Sequence, residues 1–98
     1  MRILKPLYIE GLISQLLYND QEIGNILAGW EIERDEIRDI LRNYFLSMGI
    51  NEVKSSRQGD VLKAALIDQL EHSPDLQRRR KEVRAQISLA REKNRTKS

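Results

Sequence analysis

The chain has no cysteine, one histidine and five glycines among its 98 residues. Without cysteine, disulfides, thiolate metal sites and cysteine nucleophiles are excluded, which fits a reducing cytoplasm. The lone histidine, His72, falls at the end of a predicted helix, where partial positive charge suits the dipole. A zinc site would lack a second imidazole. A serine–histidine arrangement could use only His72, and no strand–turn–helix nucleophile signature surrounds any serine. Gly24 and Gly29 are too sparse to cradle a phosphate. No apolar run approaches the length of a membrane span, and residues 1–6 have neither a long apolar run nor a small-residue cleavage site. These absences point away from an enzyme, a metal, a cofactor and a membrane, and toward a soluble cytoplasmic protein.

What the chain has in quantity is charge and helical periodicity. Apolar residues make up 40% and charged residues 33%, enough to fold a single domain over 1–98 around a thin core. The expected fold class is all-α, a compact bundle of four to five short helices with a basic last helix that could protrude. The spacing predicts a first helix over about 7–18, opened by Pro6, with a wide apolar face from Leu7 and Tyr8 to Leu17. A second, over about 20–28, is read as capped by Asn19 with Glu22 reaching back, and ends at Ala28-Gly29. In a third, over about 31–48, Ile37, Ile40, Leu41, Tyr44, Phe45 and Met48 recur on one face and Gly49 is the stop. After a loop over 50–56, a fourth is predicted over about 57–72, capped by Ser55 or Ser56, with Val61, Leu62, Ala65, Leu66 and Leu70 as its stripe. Ser73 and Pro74 start a fifth, running to about 92. Its thin stripe is Leu76, Val83, Ile87 and Ala90, and residues 93–98 read as frayed. The expected core is Leu12, Leu16, Ile37, Leu41, Phe45, Leu62 and Leu66.

The charge divides the chain. Residues 74–98 carry nine Lys/Arg against three Asp/Glu, a net of +6, whereas residues 1–73 net −4. The chain therefore reads as an acidic helical body (1–73) and a basic C-terminal helix with its tail (74–98). Arg78, Arg79, Arg80, Lys81 and Arg84 form the candidate basic contact. Glu31, Glu33, Asp35, Glu36 and Asp39 form an acidic patch on the third helix; a solvated face is the bland reading of these carboxylates, a metal or acid/base pair the sharper one. The two patches could pair within one chain or steer a second copy, and Trp30 and Tyr8 suit an interface. This favours a non-catalytic regulator or adaptor acting through charge-steered protein–protein contacts as a homodimer, its partner an acidic surface or another copy of itself. The alternative is a nucleic-acid-binding accessory protein that places the same cations on phosphates, although the basic segment has no aromatic residue for base stacking. A helix-turn-helix over 20–44 has suitable dimensions, but its second helix would bring the acidic patch against phosphates.

Two runs carry a resemblance. Tyr44-Phe45-Leu46-Ser47-Met48-Gly49, a helix stopping at glycine before a polar loop, precedes Ala65-Leu66-Ile67-Asp68-Gln69-Leu70-Glu71-His72, a helix ending in a Leu-Glu pair. Residues 35–90 thereby resemble small all-helical enterobacterial regulators of biofilm development and acid resistance, of the two-component connector type. The resemblance implies a homodimeric regulator working by contacts. The first thirty residues do not share it, and the Arg78–Lys81 run is more basic than the family's pattern.

Overall fold

A computed structural model describes residues 7–96, with the side chains of 94–96 left aside. Five helices follow in order: α1 (Ile9–Asn19), α2 (Gln21–Leu27), α3 (Arg34–Ser47), α4 (Ser56–His72) and α5 (Pro74–Thr96). The all-α expectation holds. A two-residue ribbon was not foreseen: β1 (Leu7–Tyr8) pairs antiparallel with β2 (Glu52–Val53), Leu7 opposite Val53 and Tyr8 opposite Glu52. Strands this short carry no readable alternation. The ribbon takes Leu7 and Tyr8 out of the first helix, and the Ile9 N–H donates to the Asn51 carbonyl at 2.9 Å. Pro6 lies outside the described residues.

The body helices bury their cores along rows spaced four apart. Ile9, Ile13 and Leu17 on α1 meet Ile37, Leu41 and Phe45 on α3, with Leu62, Leu66 and Leu70 of α4 and Ile23 and Leu27 of α2 in the same cluster, which Ile32, Val53 and Leu76 complete. Residues four apart lie almost above one another on a helix, so each row makes a continuous ridge. One step sideways moves a side chain off the ridge. Leu12 and Leu16, expected in the core, are accordingly only partly buried against it. Val61 is 63% exposed and Met48 is 56% exposed, so neither belongs to the buried stripes expected of them.

Chain ends and turns follow local chemistry. Asn19 is the last residue of α1, so the cap of α2 falls to Asp20, whose carboxylate accepts from the Ile23 N–H at 3.0 Å. Ala28 (ψ 127°) and Gly29 (φ 83°) form a type II turn closed by the Trp30 N–H on the Leu27 carbonyl, a geometry that favours glycine at its third position. Beyond it the chain bends at Ile32, which is buried. That burial delays α3 to Arg34, so Glu31 lies in the connecting loop and Glu33 is the residue before the helix. At the far end of α3, Gly49 (φ 79°) supports a Schellman closure: Ile50 N–H reaches the Phe45 carbonyl and Gly49 N–H the Leu46 carbonyl. Ser55 caps α4 by accepting from the Gln58 N–H. Gln58 in turn accepts from the Lys54 N–H at 2.8 Å and donates to the Glu52 carbonyl, joining the cap to the ribbon.

Ser73 separates α4 from α5, and its hydroxyl accepts from the Leu76 N–H. Leu76 is fully buried and fastens the start of α5 to the body. Farther along, Val83 and Ile87 are half-buried and Ala90 is exposed, which shortens the expected stripe. The helix nevertheless continues to Thr96, into the region read as frayed; residues 97–98 lie outside the described residues. A 23-residue helix is about 34 Å long at 1.5 Å per residue. The molecule measures 59 × 25 × 18 Å, the long dimension expected when one helix outruns the others.

Candidate interaction surface

α5 divides its cations between internal and external use. Arg79 Nε donates to Glu36 Oε1 at 2.8 Å, and its Nη1 donates to Glu82 Oε2 at 3.3 Å. The Glu36 bond, more than any other factor, holds the Arg79 guanidinium even more firmly protonated than usual, against an opposing desolvation. Arg80 stacks its guanidinium 4.3 Å from the centre of the Trp30 ring. Arg78 pairs with Asp75 at 2.9 Å along an exposed turn. Lys81, Arg84 and Arg91 are exposed and have no carboxylate partner among the described residues. Of the five expected basic contact residues, Arg79 and Arg80 therefore bind the chain to itself, while Lys81 and Arg84 face outward. Arg91, an outward cation not singled out by the local Arg78–Lys81 run, joins them.

The expected acidic patch is dispersed in the same way. Asp35 accepts from the Tyr18 hydroxyl and lies 3.6 Å from Arg38. That hydrogen bond leads the causes that push the Tyr18 phenol above its usual range. Asp39 pairs with Arg38 and Arg42, and both arginines also reach Glu10 of α1. Glu36 turns toward α5. Arg38 Nε is buried without a hydrogen-bond partner, with Glu10 Oε1 at 3.7 Å supplying charge alone. Arg34 Nε donates to the Leu17 carbonyl at 3.0 Å, placing a cation at the negative end of α1. These contacts set α1 and α3 antiparallel. Of the five carboxylates, Glu31 and Glu33 are exposed with no ion pair among the described residues, so the five do not make one continuous acidic face. His72 lies in the open at 3.9 Å from both Asp68 and Glu71, and among the described residues no cluster of His, Cys, Asp and Glu could hold a metal. No helix among the described residues is long and apolar enough to cross a membrane.

Two clefts flank α5. The larger, about 690 Å³, lies between α3 and the first turns of α5, with Ile40 and Tyr44 on one wall. Its charged residues, Asp75, Arg78, Arg79 and Glu82, are already paired with one another or with Glu36. The smaller, about 110 Å³, lies between the loop after α2 and the emerging part of α5. Trp30, Ile32, Val83 and Ile87 line it, with Arg80, Arg84 and Arg91 along it. Sequence spacing alone places the three arginines on one side of α5 with Val83 and Ile87. The missing information was Trp30, which is far away in the chain and is brought here only by packing.

Comparison of the chain with protein-family models, with curated proteins and with solved structures gave no match.

Proposed function

We propose that the protein is a small cytoplasmic regulator or adaptor without catalytic activity, working by charge-steered docking of the outer part of α5 on an acidic protein surface. The observation that carries this reading is the division of labour along α5. Leu76, Arg79 and Arg80 attach the helix to the body, while Lys81, Arg84 and Arg91 stay exposed, with no ion pair among the described residues. Cations held on a rigid helix steer encounter with an anionic partner and set its orientation. A homodimeric state agrees with the resemblance of residues 35–90 to small regulators. The acidic patch contributes less to this reading than its sequence suggests, because most of it neutralises arginines of its own chain.

The test replaces Lys81, Arg84 and Arg91 with glutamine together, leaving Arg79 and Arg80 in place so that α5 stays attached. Polyglutamate and labelled duplex DNA are titrated against both proteins over a range of salt, and sedimentation equilibrium gives the oligomeric state. Docking on acidic protein predicts polyglutamate binding that the variant weakens about tenfold. Retention of full affinity by the variant overturns the reading. The competing nucleic-acid reading gains if duplex binding is far tighter than polyglutamate binding and falls steeply on a log–log salt plot.

A further inference from the structure

The crease beside Trp30 adds an apolar component to a surface otherwise defined by charge. Trp30 and Ile32 come from the loop before α3, and Val83 and Ile87 from α5. Arg80, Arg84 and Arg91 stand at i, i+4 and i+11 on the same side of α5, with Ile87 at i+7 between the last two. Arg80 is held over the Trp30 ring, which fixes one wall. Arg84 and Arg91 are exposed and have no ion pair among the described residues. Glu31, on the loop side, is the one carboxylate at the crease. A cleft with aliphatic walls, flanked by two guanidiniums about two helical turns apart, matches a ligand with an apolar anchor and carboxylates spaced about two turns apart.

We propose that this crease seats an acidic amphipathic helix of a partner protein, with one large apolar side chain between Trp30 and Ile87 and its carboxylates on Arg84 and Arg91. Helix-in-groove recognition uses apolar anchors three and four residues apart, and Arg–carboxylate pairing supplies two-pronged geometry. A nucleic acid suits the crease less well. Arg80 already covers a face of the indole, so base stacking there would displace an internal contact. The aliphatic walls of Val83 and Ile87 offer a base no hydrogen bonds. This inference rests on the proposed docking function and adds to it the secondary structure of the partner and the place of its anchor.

Trp30 is the only tryptophan in the chain, so its emission reports on the crease directly. The full chain is titrated with a peptide of about sixteen residues built from Glu, Ala and Leu, its leucines spaced three and four apart. Polyglutamate of equal charge and a duplex oligonucleotide serve as comparison ligands. The expected result is a saturable shift of Trp30 emission with the amphipathic peptide and none with polyglutamate. Arg84→Gln with Arg91→Gln should weaken peptide binding about tenfold, and Ile87→Ser by a similar factor. The arginine pair is exposed, so that variant keeps its fold, and circular dichroism checks Ile87→Ser. Equal affinity for peptide and polyglutamate with an unmoved tryptophan overturns the crease while leaving charge-steered docking intact. Binding of neither anionic peptide overturns both. A Trp30 shift with the oligonucleotide alone assigns the crease to nucleic acid and also overturns the proposal.

Discussion

Asp20 ties three helices together at one corner of the body. It follows the last residue of α1, caps α2 through the Ile23 N–H, and receives Lys63 of α4 at 2.8 Å. The lysine contact leads the forces that draw its carboxyl below the usual range, with the Ile23 N–H also contributing and desolvation opposing. A carboxyl lowered in the folded state stabilises at pH values above its unfolded pKa and loses that contribution as pH falls through the folded value. The tie should therefore be intact near neutrality and weaken only in acid. Asp20→Ala should cost about 0.5–2 kcal/mol, the range for a lost helix cap, read as a lower urea midpoint. The deficit should shrink when the pair of proteins is compared in acid; a constant deficit down to low pH would show that the carboxylate's charge is irrelevant. Gly24 is the opposite case. It sits inside α2, and a Cβ there would meet nothing within 4 Å. Gly24→Ala should raise stability by about 0.5–1 kcal/mol, seen as a higher thermal midpoint.

At the scale of elements, the ribbon and α5 show how little local propensity decides. Leu7 and Tyr8 continue the apolar helical pattern of α1, yet they pair with Glu52 and Val53. Val53 is fully buried, and its strand holds the chain entering α1 against the loop leaving α3. The Gln58 side chain, bonded to both Lys54 and Glu52, makes the α4 cap part of this joint. On α5, attachment is concentrated near the start. Leu76→Ala should cost about 2–5 kcal/mol, as for other fully buried leucines, and should raise hydrogen exchange in α5 more than in α1 or α3. Uniform exchange across all helices would mean that α5 and the body unfold as one unit.

For the whole molecule, the important fact is the unequal fate of its two charge groups. A radius of gyration of 16.2 Å exceeds the roughly 13 Å of an equiaxial chain of about 100 residues, because α5 runs beyond the body. Ending the chain after Arg84 should leave the thermal midpoint nearly unchanged, since the removed residues bury little. Ending it after Ser73 should lower the midpoint markedly, because Leu76 and the Arg79–Glu36 pair go with it. Two equal midpoints would show that the start of α5 contributes nothing to the body.

Helix existence, the stops at Gly29 and Gly49 and the start at Ser73-Pro74 were legible in the sequence, because caps, glycine turns and four-residue apolar rows are local signals. Ile37, Leu41, Phe45, Leu62 and Leu66 were readable as core for the same reason. The choice of Ile13 over Leu12, and of Leu17 over Leu16, was not: on a helix with apolar residues on more than half its circumference, only the position of α3 selects the buried row. The charge split was also plain from composition. Which charges remain available was decided by tertiary structure alone. Glu36 meets Arg79 across 43 positions of chain, and Trp30 meets Arg80 across a similar distance. Charges act through space, and no local pattern in the sequence says which ones the fold will bring together.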